Sequence, residues 1–233
     1  MNKQAMTAQT KIFNLSQFNL KINDTHLNAI IFGAILAAAL FLFNVMPAYA
    51  EDSMQDPQTL VKDTTVKMFA KLKAEKQNLD KNPDLIYGMV SEIVLPHFDF
   101  ITMSKWVLGK NWRNASRAQK IGFIKAFREL MVRTYSVALL EYTDTEIKYK
   151  PLRDDVSKGD VTVRTQAETG KSAPVTINYS LHKKKKGWKV YDISVEGVSL
   201  ISNYRTTFAT EVKQSGLDAL IARLQKHNKK KEA

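Results

Sequence analysis

Hydrophobic residues in this chain recur first at helical spacing, then at every second position, then at helical spacing again. Leu60, Thr64, Met68 and Leu72, with Val61, Thr65 and Phe69 beside them, mark one helix face running to about Gln77. Asp56-Pro57 sets its start, a capping side chain followed by proline at the first helical position. Asn82-Pro83 repeats that signal, and Leu85, Ile86, Met89, Val90, Ile93 and Val94 carry a second helix to Pro96. Asp99 caps a short helix that stops at Gly109. Ser116 and Gln119 then form a capping box, which predicts a long helix from Arg117 to Tyr142, roughly 40 Å at 1.5 Å per residue. Ile124, Phe127, Met131, Tyr135 and Ala138 make one face of it, and Phe123, Leu130 and Val137 widen that face. Such a stripe is broad for a helix packed on one side only.

Beyond Tyr142 the period drops to two. Thr145, Ile147 and Tyr149 alternate with charged residues, Val161, Val163 and Thr165 alternate with Thr162, Arg164 and Gln166, then come Val175, Ile177, Tyr179 and Leu181, and a last segment begins at Trp188. The polar turns DDVSKGD, ETGK and KKKKG separate them, which predicts a four-stranded antiparallel meander with one apolar face. Trp188 and Val190 fall on one parity and Tyr191, Ile193 and Val195 on the other, so either a bulge intervenes or both faces are covered. The lysines at 183–186 form a solvated hairpin tip on this reading. Helical spacing returns at Leu200, Ile201, Tyr204, Phe208 and Val212, stops at Gly216, and resumes with Leu217, Leu220, Ile221 and Leu224 before a basic tail expected to fray. Helices, a meander and helices again predict an α+β fold, a bent antiparallel sheet with helices packed over one face. No repeat or linker divides residues 51–233, so one domain is expected there.

The first fifty positions stand apart. An uncharged apolar run, Ala29–Phe43, follows Lys3, Lys11 and Lys21 and precedes Pro47 and the A-x-A signature of Ala48 and Ala50. It falls short of the roughly 20 residues of a spanning helix. The order predicts a secretory signal peptide over residues 1–50, cleaved after Ala50, with an uncleaved anchor as the alternative. The formal net charge is +12, and the leader holds little of it. On an exported protein such charge points to membrane surfaces or acidic protein partners rather than nucleic acid. The chain has no cysteine, so neither disulfides nor thiol chemistry contribute.

Candidate chemistry is sparse. His97 and Asp99 are nearly adjacent and lack a nucleophile motif, and the simplest roles for them are loop residue and helix cap. His182 and His227 sit at turn and tail positions and are expected to be solvated. Asp192 and Glu196 suggest an acid pair, with solvation at an edge or turn the plainer account. No clustered ligands with metal spacing and no phosphate-cradling glycine loop are present. What the chain does supply is bulk: Met103, Trp106, Val107, Leu108 and Trp112 crowd one short segment. Tyr135, Tyr142, Tyr149, Tyr179, Tyr191 and Tyr204 are amphipathic rings suited to a pocket mouth.

Three blocks carry a resemblance. FDF-x3-SKWVLGKNWRNAS-x2-Q, then F-x2-AF-x4-VRTY-x3-LLEY, then W-x-VYDISVEGVSL-x3-YRTTF are similar to the MlaC (toluene-tolerance) family of periplasmic phospholipid carriers, from about Asp56 to Leu224. The resemblance implies an NTF2-like cone whose sheet and helices enclose an apolar cavity. It implies a non-enzymatic monomer without a cofactor, whose cargo is a glycerophospholipid held by its acyl chains. Its partners would be an MlaA–porin complex at the outer membrane and MlaD of an inner-membrane ABC transporter, with no nucleic acid, and its role the maintenance of outer-membrane lipid asymmetry. The lipid-contacting residues it suggests are Val94, Phe98, Met103, Trp106, Val107, Leu108, Phe127, Leu130, Met131, Tyr135, Leu139, Tyr142, Val163, Ile177, Tyr179, Tyr191, Ile193, Val198 and Tyr204. A charge at Ile177 or Val198 is expected to abolish lipid binding. Two other readings stay open: a small periplasmic enzyme using His97, Asp99 or Asp192, and a protein-binding adaptor with a filled core.

Overall fold

Asp56 begins the first helix as its chemistry dictates, accepting from the Thr59 N–H at 2.9 Å, with Pro57 at the first turn. In this computed structural model, which describes residues 54–141, 143, 145–168 and 173–230, that helix is α1 (Pro57–Ala74). The expected signal peptide and its cleavage site lie outside the described residues, as does Tyr142. Next come α2 (Lys76–Lys81), α3 (Leu85–Ile93) and a 3-10 turn at Leu95–His97. The helix α4 (Phe100–Leu108) starts at Asp99, ends at Gly109 with φ 52°, and leads into α5 (Lys110–Asn114). Ser116 and Gln119 exchange the two bonds of a capping box at the head of α6 (Arg117–Tyr135).

The single long helix expected to reach Tyr142 ends earlier. Leu139 N–H donates to Ser136 O at 3.0 Å and Leu140 N–H to Val137 O at 3.1 Å, the tighter i+3 pattern. The chain turns there into the short α7 (Ala138–Glu141). Apolar spacing alone cannot separate an α-helix from a helix followed by such a turn.

The described strands are β1 (Glu146–Tyr149), β2 (Asp160–Glu168), β3 (Val175–Lys184), β4 (Gly187–Val195) and β5 (Val198–Ser199), antiparallel in the order β1-β2-β3-β4-β5. The sheet therefore has five strands where the sequence pattern suggested four. β5 is two residues long, too short to show alternation, and its pairing of Val195 with Val198 closes a two-residue turn at Glu196 and Gly197. Both take left-handed φ, 48° and 78°, the requirement of a tight hairpin turn. The parity change in β4 is a bulge. Ser180 faces Asp192 and Leu181 faces Val190, which leaves Tyr191 as the extra residue. Val190, Ile193 and Val195 thereby come to face Leu181, Tyr179 and Ile177 in turn.

The chain closes with α8 (Leu200–Lys230), broken at Gly216 as the sequence pattern predicts. The tail expected to fray is helical to Lys230, because Asn228 is buried and donates to the Ala126 carbonyl of α6 at 3.0 Å. All the described residues belong to one compact unit, Ser53–Ala233.

Three apolar clusters fill it. Met103, Val107 and Leu108 of α4, Phe123, Phe127 and Leu130 of α6, and Ile201, Phe208, Leu220 and Leu224 of α8 form one. Met68 and Leu72 of α1, Leu79 of α2, α3 and Val132 of α6 form another. Leu60 and Val61 pack on Val161, Val163, Leu181, Trp188 and Val190 of the sheet in the third. The width of the stripe on α6 follows, since this helix is buried on two sides.

Candidate functional site

Between these clusters lies an apolar pocket of about 360 Å³. One wall is α1, through Leu60, Val61, Thr64, Thr65, Met68 and Phe69. A second is α3 and the segment after it, through Val90, Val94, Leu95, His97, Phe98 and Phe100. The end of α6 and α7 supply Met131, Val132, Tyr135, Ser136, Ala138 and Leu139. The sheet supplies Ile147, Ala167, Val175, Ile177, Tyr179, Val190, Ile193 and Val195, and Leu200 opens α8 beside them. Without the bulge at Tyr191, Ile193 and Val195 would lie on the opposite face from Val190.

Among the described residues, no Asp, Glu, Lys or Arg lines the pocket. Burial, then the nearby Lys189 and Lys67, pushes the His97 imidazole down, so it is neutral at neutral pH. Burial pushes the Tyr179 hydroxyl up to about 12. Thr64 and Thr65 donate their hydroxyls to the carbonyls of Leu60 and Val61, at 2.7 and 2.8 Å. An engineered cavity of 150 Å³ takes benzene, so about 360 Å³ is room for on the order of fourteen carbons. A second hollow of about 400 Å³ shares Leu95 and Val132 with it, but Lys125, Arg128, Glu129 and Arg133 line that one. Hydrocarbon belongs in the first.

The acid–base candidates have structural employment. Asp99 caps α4 through the Thr102 N–H at 2.9 Å and pairs with His182, not His97, at 3.0 Å. The sequence reading of His182 as solvated is corrected here, since β3 extends past it and folds the ring against Asp99 and Tyr191. Of the lysine run, Lys184 also reaches Asp99 at 3.0 Å, while the turn itself is Lys185 and Lys186. Asp192 accepts from Ser199 Oγ at 2.5 Å and the Ile201 N–H at 3.2 Å, which caps α8. Glu196 accepts from the Thr176 N–H. Among the described residues, no three His, Cys, Asp or Glu side chains cluster as metal ligands.

The family model for MlaC protein matches residues 62–226. This chain belongs to the MlaC family. It is 25% identical over 181 residues to the intermembrane phospholipid transport system binding protein MlaC of Haemophilus influenzae, covering 76% of this chain and 83% of that one. It is 29% identical over 166 residues to the toluene tolerance protein ttg2D of Pseudomonas putida, covering 70% and 76%. Among solved structures, the phospholipid-binding protein of Ralstonia solanacearum in complex with a phospholipid matches with a TM-score of 0.70 and 29% identity. That alignment spans 76% of this chain and 98% of the other.

Of the residues that the MlaC resemblance suggested, the structure gathers Val94, Phe98, Met131, Tyr135, Leu139, Ile177, Tyr179 and Ile193 around the pocket. It places the other described ones elsewhere. Met103, Val107, Leu108, Phe127 and Leu130 fill the α4–α6–α8 core. Val163 is fully buried in the sheet core with Leu181 and Trp188. Trp106 is half-exposed and packs on the bulge residue Tyr191, ring centroids 5.0 Å apart. Tyr204 packs on Phe127 and Phe208, and Val198 is 61% exposed in the β4–β5 hairpin. For the core residues the reason is common: core and pocket wall use the same side chains. The pocket residues that the sequence did not single out are chiefly those of α1, with Val132, Ala167, Val175 and Leu200. The amphipathic pattern of α1 marked them as buried, but nothing local said what they faced.

Proposed function

We propose that this chain is a periplasmic carrier that holds a glycerophospholipid by its acyl chains in the apolar pocket, headgroup in water, and shuttles it between membrane complexes. The observation that carries the reading is the largely apolar pocket, lined by no charged side chain among the described residues, on the fold of a family with a relative named for phospholipid transport and a solved neighbour in complex with a phospholipid. Residues 1–50 act as the export signal, cleaved after Ala50. An MlaA–porin complex serves as the outer-membrane partner and MlaD as the inner-membrane one, which maintains the lipid asymmetry of the outer membrane. Carriage makes and breaks no covalent bond, which agrees with the structural employment of Asp99, Asp192 and Glu196.

Burying a methylene is worth about 0.8 kcal/mol, so two acyl chains with roughly 30 methylenes cost on the order of 20 kcal/mol to expose. Unassisted crossing of an aqueous gap is correspondingly slow. A carrier need only match the bilayer as a solvent, because tighter binding impedes release. The pocket as it stands takes about one chain's carbons, so holding both chains of a diacyl lipid inside requires the cavity to enlarge. Native mass spectrometry of protein purified from the periplasm is expected to find bound phospholipid. Protein that is consistently empty and extracts nothing from liposomes would overturn the proposal.

A further inference from the structure

The hydroxyls on the pocket wall are not alike. Thr64 and Thr65 satisfy theirs on their own helix, the usual outlet for a hydroxyl on helical backbone. Ser136 lines the same pocket, is 2% exposed, and its Oγ has no hydrogen-bond partner among the described residues. A buried hydroxyl left in that state destabilises the empty protein, so it needs an explanation. Its position supplies one. Tyr135 and Val195 both line the pocket and reach solvent, at 37% and 38% exposure, and so mark the mouth. Ser136 directly follows Tyr135, at the break between α6 and α7 where the wall turns. It therefore lines the pocket from a backbone position that adjoins the mouth. In a lipid drawn in chains first, the strongest acceptor at that level is the carbonyl of an acyl ester.

We infer that Ser136 Oγ donates a hydrogen bond to an acyl-ester carbonyl of the bound lipid and selects ester-linked over ether-linked chains. The inference rests on the proposed lipid-carrier function and adds a chemical requirement to it. An ether-linked lipid with the same headgroup and chains fills the same volume but lacks the carbonyl, so it leaves the hydroxyl unpaired. A site built around a hydrogen bond rejects the analogue that cannot make it.

The test uses delipidated protein incubated with fluid vesicles of equal parts diphytanoyl and diphytanyl phosphatidylcholine, which differ in the ester carbonyls. Native mass spectrometry counts the two bound lipids. Wild type is expected to favour the ester lipid about five- to tenfold, the worth of one net hydrogen bond. Ser136→Ala is expected to load both equally, and Ser136→Thr to keep the preference. Empty Ser136→Ala is expected to melt at or above the wild-type temperature, since it deletes an unpaired hydroxyl. Equal loading by wild type, or an unchanged preference in Ser136→Ala, overturns the role of Ser136 and leaves the carrier function standing. Wild type that loads neither lipid overturns both.

Discussion

Asp99 accepts from the N–H and hydroxyl of Thr102 at 2.9 and 2.7 Å, and from His182 and Lys184. Burial alone pushes its carboxyl up, but the Thr102 bonds and Lys184 outweigh that and hold it at about 2, below the ordinary 3.8. Its folded-state value is depressed, so its contribution is present above pH 3.8 and is lost as pH falls through 2. Allowing for solvent screening, Asp99→Asn is expected to lose about 1–2 kcal/mol at pH 7. The deficit should narrow below pH 4 and vanish near pH 2 in urea unfolding curves. A deficit that ignores pH would show that the carboxylate charge contributes nothing. The cap was legible in the sequence because capping is local, three residues from donor to acceptor. The pairing with His182 spans the α4–β3 contact and was not.

At the scale of elements, Gly216 divides α8 with φ 82° and ψ 166°, a region essentially reserved for glycine. The break turns Leu220, Ile221 and Leu224 onto α6, and Arg223 grips Glu211 across it with two bonds of 2.6 and 2.7 Å. A Cβ at Gly216 would meet nothing within 4 Å, so the cost of substitution is conformational. Gly216→Ala is expected to destabilise by about 1–3 kcal/mol, read as a lower urea midpoint with little change in slope. A neutral result would mean that α8 tolerates a straight path. Gly216 was readable because glycine ends a helical pattern by its own backbone. The end of α6 was not, because Tyr135, Val137 and Ala138 continue the apolar spacing through a turn made of i+3 bonds.

At the scale of the whole molecule, two packed cores and a sheet leave a space between them, and the position of a residue relative to that space governs its effect. Ile177 lines the pocket, whereas Val198 is exposed and does not. Ile177→Asp is expected to lower bound phospholipid at least tenfold in native mass spectra, since a lone carboxylate beside hydrocarbon is costly. Val198→Asp is expected to load normally, which revises the equal weight that sequence gave them. Normal loading by Ile177→Asp would move the binding site elsewhere.

By itself the sequence determined what is encoded within a few residues or in a repeating period. That includes the caps at Asp56, Asp99 and Ser116, the break at Gly216, the alternation in β2 and β3, and the parity slip that became the bulge at Tyr191. It also carried the motif blocks of the family. Only the tertiary structure decided which apolar side chains fill a core and which face a space. Phe127 and Met131 lie one turn apart on α6, yet Phe127 is locked among aromatic rings while Met131 reaches the pocket. Hydrophobic periodicity records that a face is turned from water. What stands opposite that face, a side chain or room for one, depends on elements distant in sequence, and α1 packed on the sheet is one of them.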